Sequence, residues 1–338
     1  MSNSPNRGQL NLPRTTVAAL RAAVRHPGFF YLTGHGVPHA LMQHVLSLGW
    51  QFYTADDSLL QKRAIARRPV GDRYGDGARG WQDVGLDDWH EALDFYAEIC
   101  GAEAVAAHRA FKASRSDVWP GVDGLLEGRN LYPQHLPAMR DVYPDYVARL
   151  CSVGEAVMRA LGFALELGDP EFFVGATRDS FWCLRVLGYP PLPPAFRKKE
   201  DKIETQDDDD EDEEMVGCGA HSDYGCLTML LTDDTPGALK VRVAGGDDDP
   251  NPEKEQEKQQ QQEEQWWTGG WATSTVHKVL HLGDGYRISV PFFYEPAKHV
   301  VVRRLPEFGG TEADPEVRYW DHLVSKIDGS FFRKRTTW

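Results

Sequence analysis

His221 and Asp223 stand two residues apart in Gly219-Ala220-His221-Ser222-Asp223-Tyr224-Gly225, just ahead of the apolar run Leu227-Thr228-Met229-Leu230-Leu231. On an extended segment, residues two apart turn their side chains to one face. A histidine and a carboxylate so placed can hold a cation from one side only, so a third ligand must come from elsewhere. Ser274-Thr275-Val276-His277-Lys278-Val279 offers one, 56 residues after His221. Any fold that uses these groups has to bring the two segments together. Two histidines and one carboxylate on one face suit non-haem Fe(II) and leave positions open for oxygen and a co-substrate. Arg287 follows ten residues after His277, in Tyr286-Arg287-Ile288-Ser289-Val290-Pro291-Phe292-Phe293. Arg287 there provides a fixed positive fork that matches a carboxylate.

The surrounding pattern is compatible with such a site. After Ser180 the chain breaks into short, dense apolar and β-branched runs separated by Gly and Pro. Cys183 to Leu187, Cys226 to Leu231, Leu239 to Val243, Val276 to Leu280 and Arg287 to Tyr294 are predicted strands. The first half reads as helical. Val17, Leu20 and Val24 fall at helical spacing, Pro38 to Tyr53 carries Leu41, Val45, Leu48 and Phe52 on one face, and a long helix is predicted from Met139 to Leu165. Phe29 to Thr33 reads as a short buried strand, Arg63 to Asp88 as irregular, and Val317 to Ile327 as a closing helix. The expectation is a mixed α+β, mostly β architecture: a double-stranded β-helix (jelly roll) with flanking helices. Residues 1–180 form its helix-rich region and 181–338 its β-rich region.

A chain of 338 residues can bury one large core. The net charge of −14 is concentrated in two low-complexity runs. Residues 200–214 carry −10 and 247–264 carry −6, so the rest of the chain sums to +2. Such runs are expected to be solvated, mobile loops outside the core. No basic stripe is present, so nucleic acid is not an expected partner. No apolar run approaches a membrane span, and the polar stretch Met1 to Pro13 lacks the core of a signal peptide. Five scattered cysteines (Cys100, Cys151, Cys183, Cys218, Cys226) favour reduced thiols and a cytoplasmic setting.

The ordered set of motifs resembles the isopenicillin N synthase-like family of 2-oxoglutarate and Fe(II)-dependent dioxygenases. The parts that carry the resemblance are His221-x-Asp223, His277 in its Ser-x-x-His-Lys-Val context, and Arg287-x-Ser289. Gly28-Phe29-Phe30-Tyr31-Leu32-Thr33-Gly34-His35-Gly36 and Leu184-Arg185-Val186-Leu187-Gly188-Tyr189-Pro190 support it. The resemblance implies that His221, Asp223 and His277 ligate Fe(II). It also implies that 2-oxoglutarate is a co-substrate whose far carboxylate meets Arg287 and Ser289, with Tyr189 assisting. Oxygen is then the oxidant, ascorbate a further candidate cofactor, and succinate and carbon dioxide the by-products of oxidising a small organic substrate. A monomer is favoured. His281 is a rival third ligand, four residues beyond His277, and Tyr224, Phe292 and Phe293 are the expected apolar lining near the metal. Two other functions compete: an oxidase of the same fold that does not use 2-oxoglutarate, and a catalytically inactive relative serving as a binding protein. The second is motivated by a departure from the family. Between Leu239-Lys240-Val241 and His277, where members have two further core strands, lies a Gln/Glu/Lys run. Its composition is poor for a core strand, so the barrel is expected to lack one or two family strands.

Overall fold

The computed structural model describes residues 13–113, 126–192, 217–242 and 266–327, apart from 57, 70–71, 73–75, 86–87, 100, 224 and 282. Both acidic runs, 200–214 and 247–264, lie outside the described residues, as does most of the segment on which the expected loss of strands rests. The helices are α1 (Arg14–Arg25), α2 (His39–Thr54), α3 (Ser58–Ala64), α4 (Ala102–Ala113), α5 (Met139–Ala164), α6 (Phe172–Thr177) and α7 (Tyr319–Ile327). The strands are β1 (Gly80–Gln82), β2 (Glu91–Tyr96), β3 (Cys183–Tyr189), β4 (Cys218–His221), β5 (Leu227–Thr232), β6 (Leu239–Val241), β7 (His277–Val279), β8 (Arg287–Tyr294), β9 (Val301–Arg303) and β10 (Glu316–Arg318).

A five-stranded antiparallel sheet runs in the order β1-β2-β3-β8-β5, and a three-stranded antiparallel sheet in the order β4-β7-β6. Alternation of side chains gives the larger sheet two faces. Its outer face presents Leu93, Phe95, Leu184, Val186, Ile288, Val290, Phe292 and Tyr294 to the main core. Helices α2 and α5 cover that face. The helical spacing of Val45, Leu48 and Phe52 puts all three in this core. Gly49 lets α2 sit close to the sheet, because a Cβ there would come within 3.0 Å of the Val186 side chain. Gly154 does the same for α5, where a Cβ would lie 2.8 Å from the Tyr294 ring. The inner face presents Ala92, Leu187 and Tyr189 to Ala238, Val279, Cys218 and Leu239 around the smaller sheet. That inner space, between the two sheets, is where the sequence motifs converge.

Several expectations need correction. Phe29 to Thr33 is neither a strand nor buried: Phe30 and Leu32 are exposed, and Tyr31 is fully so. The segment instead buttresses the lead-in to β7. The Thr275 hydroxyl donates to the Pro27 carbonyl, and Phe29 meets the His277 ring edge-on at 5.4 Å between centroids. Arg63 to Asp88 is not wholly irregular, since it contains β1. The first half of the chain contributes β1 and β2 to the larger sheet, and β2 was not anticipated. Its polar members are neutralised by partners far away in sequence: Glu91 by Lys62 at 2.9 Å and Asp94 by Arg185 at 2.8 Å. Phe292 is fully buried in the outer core against Trp182, so it does not line the interior. Tyr224 lies outside the described residues.

Candidate active site

The antiparallel pairing of β4 with β7 sets His221 directly opposite His277, and the two rings lie 4.3 Å apart between centroids. The chain turns after His221 and brings Asp223 back to them. The Nε2 atoms of both histidines are 3.9 Å from Asp223 Oδ1. One ligand atom from each of the three residues falls within 4.8 Å of the others. Each ring is pinned from behind: His221 Nδ1 donates to the Gly219 carbonyl at 2.8 Å and His277 Nδ1 to the Thr275 carbonyl at 3.0 Å. A donated Nδ1 proton fixes the tautomer and leaves the Nε2 lone pair free for a cation. Asp223 is held in the same way. The Thr228 hydroxyl donates to Oδ2 at 2.6 Å, and the Ser274 hydroxyl donates to the Asp223 backbone carbonyl at 3.0 Å. Two neutral imidazoles and one carboxylate, oriented this way, fit a divalent iron ion.

His281 stands apart from this group. It is buried, and its Nε2 is engaged with the Gly285 carbonyl at 2.7 Å.

Arg287 opens β8 and pairs in register with Tyr189, the last residue of β3. Its guanidinium lies 4.8 Å over the Tyr189 ring. Arg287 is 2% exposed, and its Nε and Nη1 have no hydrogen-bond partner. A buried guanidinium with open donors is costly, and a carboxylate meets that need bidentately. The residues present therefore fit a dicarboxylic co-substrate such as 2-oxoglutarate. Ser289, also buried, lies one same-face step along β8, roughly 7 Å away. Burial pushes the Tyr189 phenol above its usual range, with Arg287 pulling the other way, so the ring stays neutral.

Two supporting residues were missed from sequence. Thr228 is one; its position five residues after Asp223, on the next strand, was the available signal. Glu295 is the other. It is buried just past β8, and its carboxylate accepts the Cys226 backbone N–H at 3.1 Å. A Cβ on Gly225 would collide with it, so glycine at 225 lets the loop after Asp223 rest on Glu295. Burial raises the Glu295 carboxyl to about 8. A lone acid following the apolar run Phe292-Phe293-Tyr294 was the sequence signal for such a brace.

Two family models match the chain. One, described as the N-terminal part of a non-haem dioxygenase in morphine synthesis, covers residues 6–120. The other, the 2OG-Fe(II) oxygenase superfamily, covers residues 183–296 and so spans the converging side chains. A homoarginine-6-hydroxylase of Oryza sativa subsp. japonica is 31% identical over 337 residues, covering 93% of this chain and 89% of its own. Another, from Glycine max, is 28% identical over 328 residues, with 93% and 89% covered. Among solved structures, a full-length Neurospora crassa protein in complex with alpha-KG superposes with a TM-score of 0.68 at 18% identity, over 94% of this chain and 91% of that one. A 2OG-Fe(II) oxygenase family protein from Caulobacter crescentus gives 0.65 at 21%, over 93% and 94%. These two likenesses establish the jelly-roll fold. The end-to-end match to the rice enzyme extends the likeness from fold to ancestry. The chain belongs to the 2OG-Fe(II) oxygenase superfamily, as an oxidoreductase that uses Fe(II), 2-oxoglutarate and oxygen to oxidise a small organic molecule.

Proposed function

We propose that His221, Asp223 and His277 hold the iron, that Arg287 with Ser289 and Tyr189 holds 2-oxoglutarate, and that the enzyme hydroxylates an amino acid bearing a guanidino group, of the homoarginine kind. The observation that carries the site is the pairing of two features: three donors within 4.8 Å of one another on or beside the smaller sheet, and a buried guanidinium with two open donors, Nε and Nη1, on the larger one. The substrate class rests on the likeness to homoarginine-6-hydroxylases from rice, soybean and Arabidopsis thaliana at 27% to 31% identity.

The chain's own contributions follow from its geometry. The Gly219 and Thr275 carbonyls keep His221 and His277 in the tautomer that offers Nε2 to the metal. Thr228 takes one lone pair of Asp223 and so aims the other oxygen at the histidines. Arg287 would fix the far carboxylate of the co-substrate and so limit the orientations it can take in the barrel. When bound, iron and 2-oxoglutarate together with oxygen supply the oxidising power that breaks a C–H bond.

The test is incubation of the iron-loaded enzyme with 2-oxoglutarate and homoarginine, read out by succinate and by the mass of the amino acid. The expected result is one succinate for each homoarginine that gains one oxygen atom. Succinate formation that ignores homoarginine and responds to another metabolite would refute the substrate class.

A further inference from the structure

A second arginine faces the inside of the barrel. Arg185 lies four residues before Tyr189 on β3, so alternation puts it on the same face as Tyr189, roughly 13 Å along the strand. The register of β3 with β8, which pairs Tyr189 with Arg287 and Leu187 with Ser289, makes this the face of the co-substrate anchor. Arg185 is deep in the protein, yet a quarter of its side chain is reachable by water. On an inner face, that water lies in the space between the sheets. The site is also on the metal side of that space. The Arg185 charge acts on both His90 and Cys218, and the Cys218 thiol is 3.6 Å from His221 Nδ1.

The partner of Arg185 explains its pose. Asp94, opposite on β2, is fully buried. It takes the Arg185 Nε–H at 2.8 Å on one oxygen and the Gln82 amide at 2.6 Å on the other. Both carboxylate oxygens are thus engaged. Arg185 meets Asp94 through Nε, and neither Nη has a hydrogen-bond partner among the described residues. A buried ion pair of this kind is seldom worth more to stability than apolar residues of the same size. It does make a rigid cation with free, parallel donors, which is the geometry that recognises a carboxylate.

We infer that Arg185, held by Asp94 and Gln82, binds the carboxylate of the substrate, so that the barrel carries two arginine anchors, Arg287 for the co-substrate and Arg185 for the molecule to be oxidised. This deepens the reading above, since it rests on the substrate entering this barrel. It excludes the corresponding amine as an efficient substrate.

The test compares homoarginine with its decarboxylated amine in the wild type, in Arg185→Met and in Arg185→Lys. The wild type is expected to favour homoarginine by about 30-fold or more in kcat/KM, and the ratio to collapse toward one in Arg185→Met. Arg185→Lys keeps the charge and loses the fork, so it should recover part of the preference. Anaerobic formation of the visible charge-transfer absorption of the iron–2-oxoglutarate chelate checks that each variant keeps its fold and co-substrate site. A wild type that accepts the amine equally well, or an Arg185→Met enzyme that keeps the preference, overturns the inference. If another metabolite is the substrate, the same comparison is made between it and its decarboxylated or amidated form. Lost discrimination in Arg185→Met would then support Arg185 while refuting homoarginine.

Discussion

The two sheets of the barrel hold their functional side chains under opposite conditions. Arg287 and Ser289 sit on β8, an eight-residue strand buried almost throughout and flanked by β3 and β5. Their positions are set by core packing before any ligand arrives. His221, Asp223 and His277 sit on or beside strands of four and three residues that are only partly buried. The His221 side chain is 40% exposed. Their positions depend on a few hydrogen bonds to the Gly219 and Thr275 carbonyls and to Thr228. On the proposed reading the larger sheet is a preformed anchor, and the smaller one a hinge that a cation would complete.

The largest effect is expected at the preformed anchor. Arg287→Gln should weaken 2-oxoglutarate by about 30- to 1000-fold, equivalent to roughly 2–4 kcal/mol for a lost charge-assisted bidentate contact. Iron affinity, measured by anaerobic titration, should change little. Equal losses of both would mean that the anchor and the metal site are not separable.

Next is the support of the metal site. Thr228→Val removes the hydroxyl that aims Asp223, and loss of such an outer partner should lower iron affinity about 10-fold while leaving the 2-oxoglutarate concentration dependence nearly unchanged.

A smaller effect is expected in dynamics. Stripping iron with a chelator should speed hydrogen exchange several-fold at the amides of β4 and β7 and leave β3 and β8 as they were, because local opening follows local stability. Uniform acceleration across both sheets would contradict the division between anchor and hinge.

The smallest concerns Glu295, which braces the loop after Asp223. Burial raises its carboxyl from 4.5 to about 8. The folded state thus keeps a proton that the unfolded chain releases, and stability should fall as pH climbs from about 4.5 to about 8, then level off. Glu295→Gln, which cannot ionise, should flatten that slope in thermal melts collected across the window. A slope unchanged by the substitution would show that other groups cause it.

The sequence made the strands nearest the chemistry legible. Arg287 to Tyr294 was read with the bounds of β8, and His277 to Val279 fell inside its predicted strand, because dense apolar runs bounded by Gly or Pro are a local signal. Helices α2 and α5 were equally readable from the spacing of Leu41, Val45, Leu48 and Phe52, and of Val147, Leu150 and Val157. The failures share a cause. Glu91 and Asp94 made β2 look unlike a strand, since the residues that neutralise them, Lys62 and Arg185, are distant in sequence. Phe29 to Thr33 looked like a strand because it is apolar. It has no strand pairing among the described residues, and it meets the lead-in to β7 through the Phe29 ring against His277, just after Pro27 accepts from Thr275. The H-x-D spacing pointed to one face for His221 and Asp223. Which atoms of the three residues are left free to take a cation was legible only once the Gly219, Thr275 and Thr228 hydrogen bonds were in place. Phe292 was assigned to the wrong face because the pattern names a buried position without saying which side of the sheet buries it.

The proposed metal site rests on the three converging donors. Its most direct test is equilibrium binding of Fe(II), under anaerobic conditions, to the wild type and to His221→Ala, Asp223→Ala and His277→Ala, with thermal unfolding recorded on the same samples. The prediction is one Fe(II) per chain in the wild type and no measurable binding in any variant, with each variant still folded, since all three side chains are partly exposed. A folded variant that binds Fe(II) with wild-type affinity would contradict it.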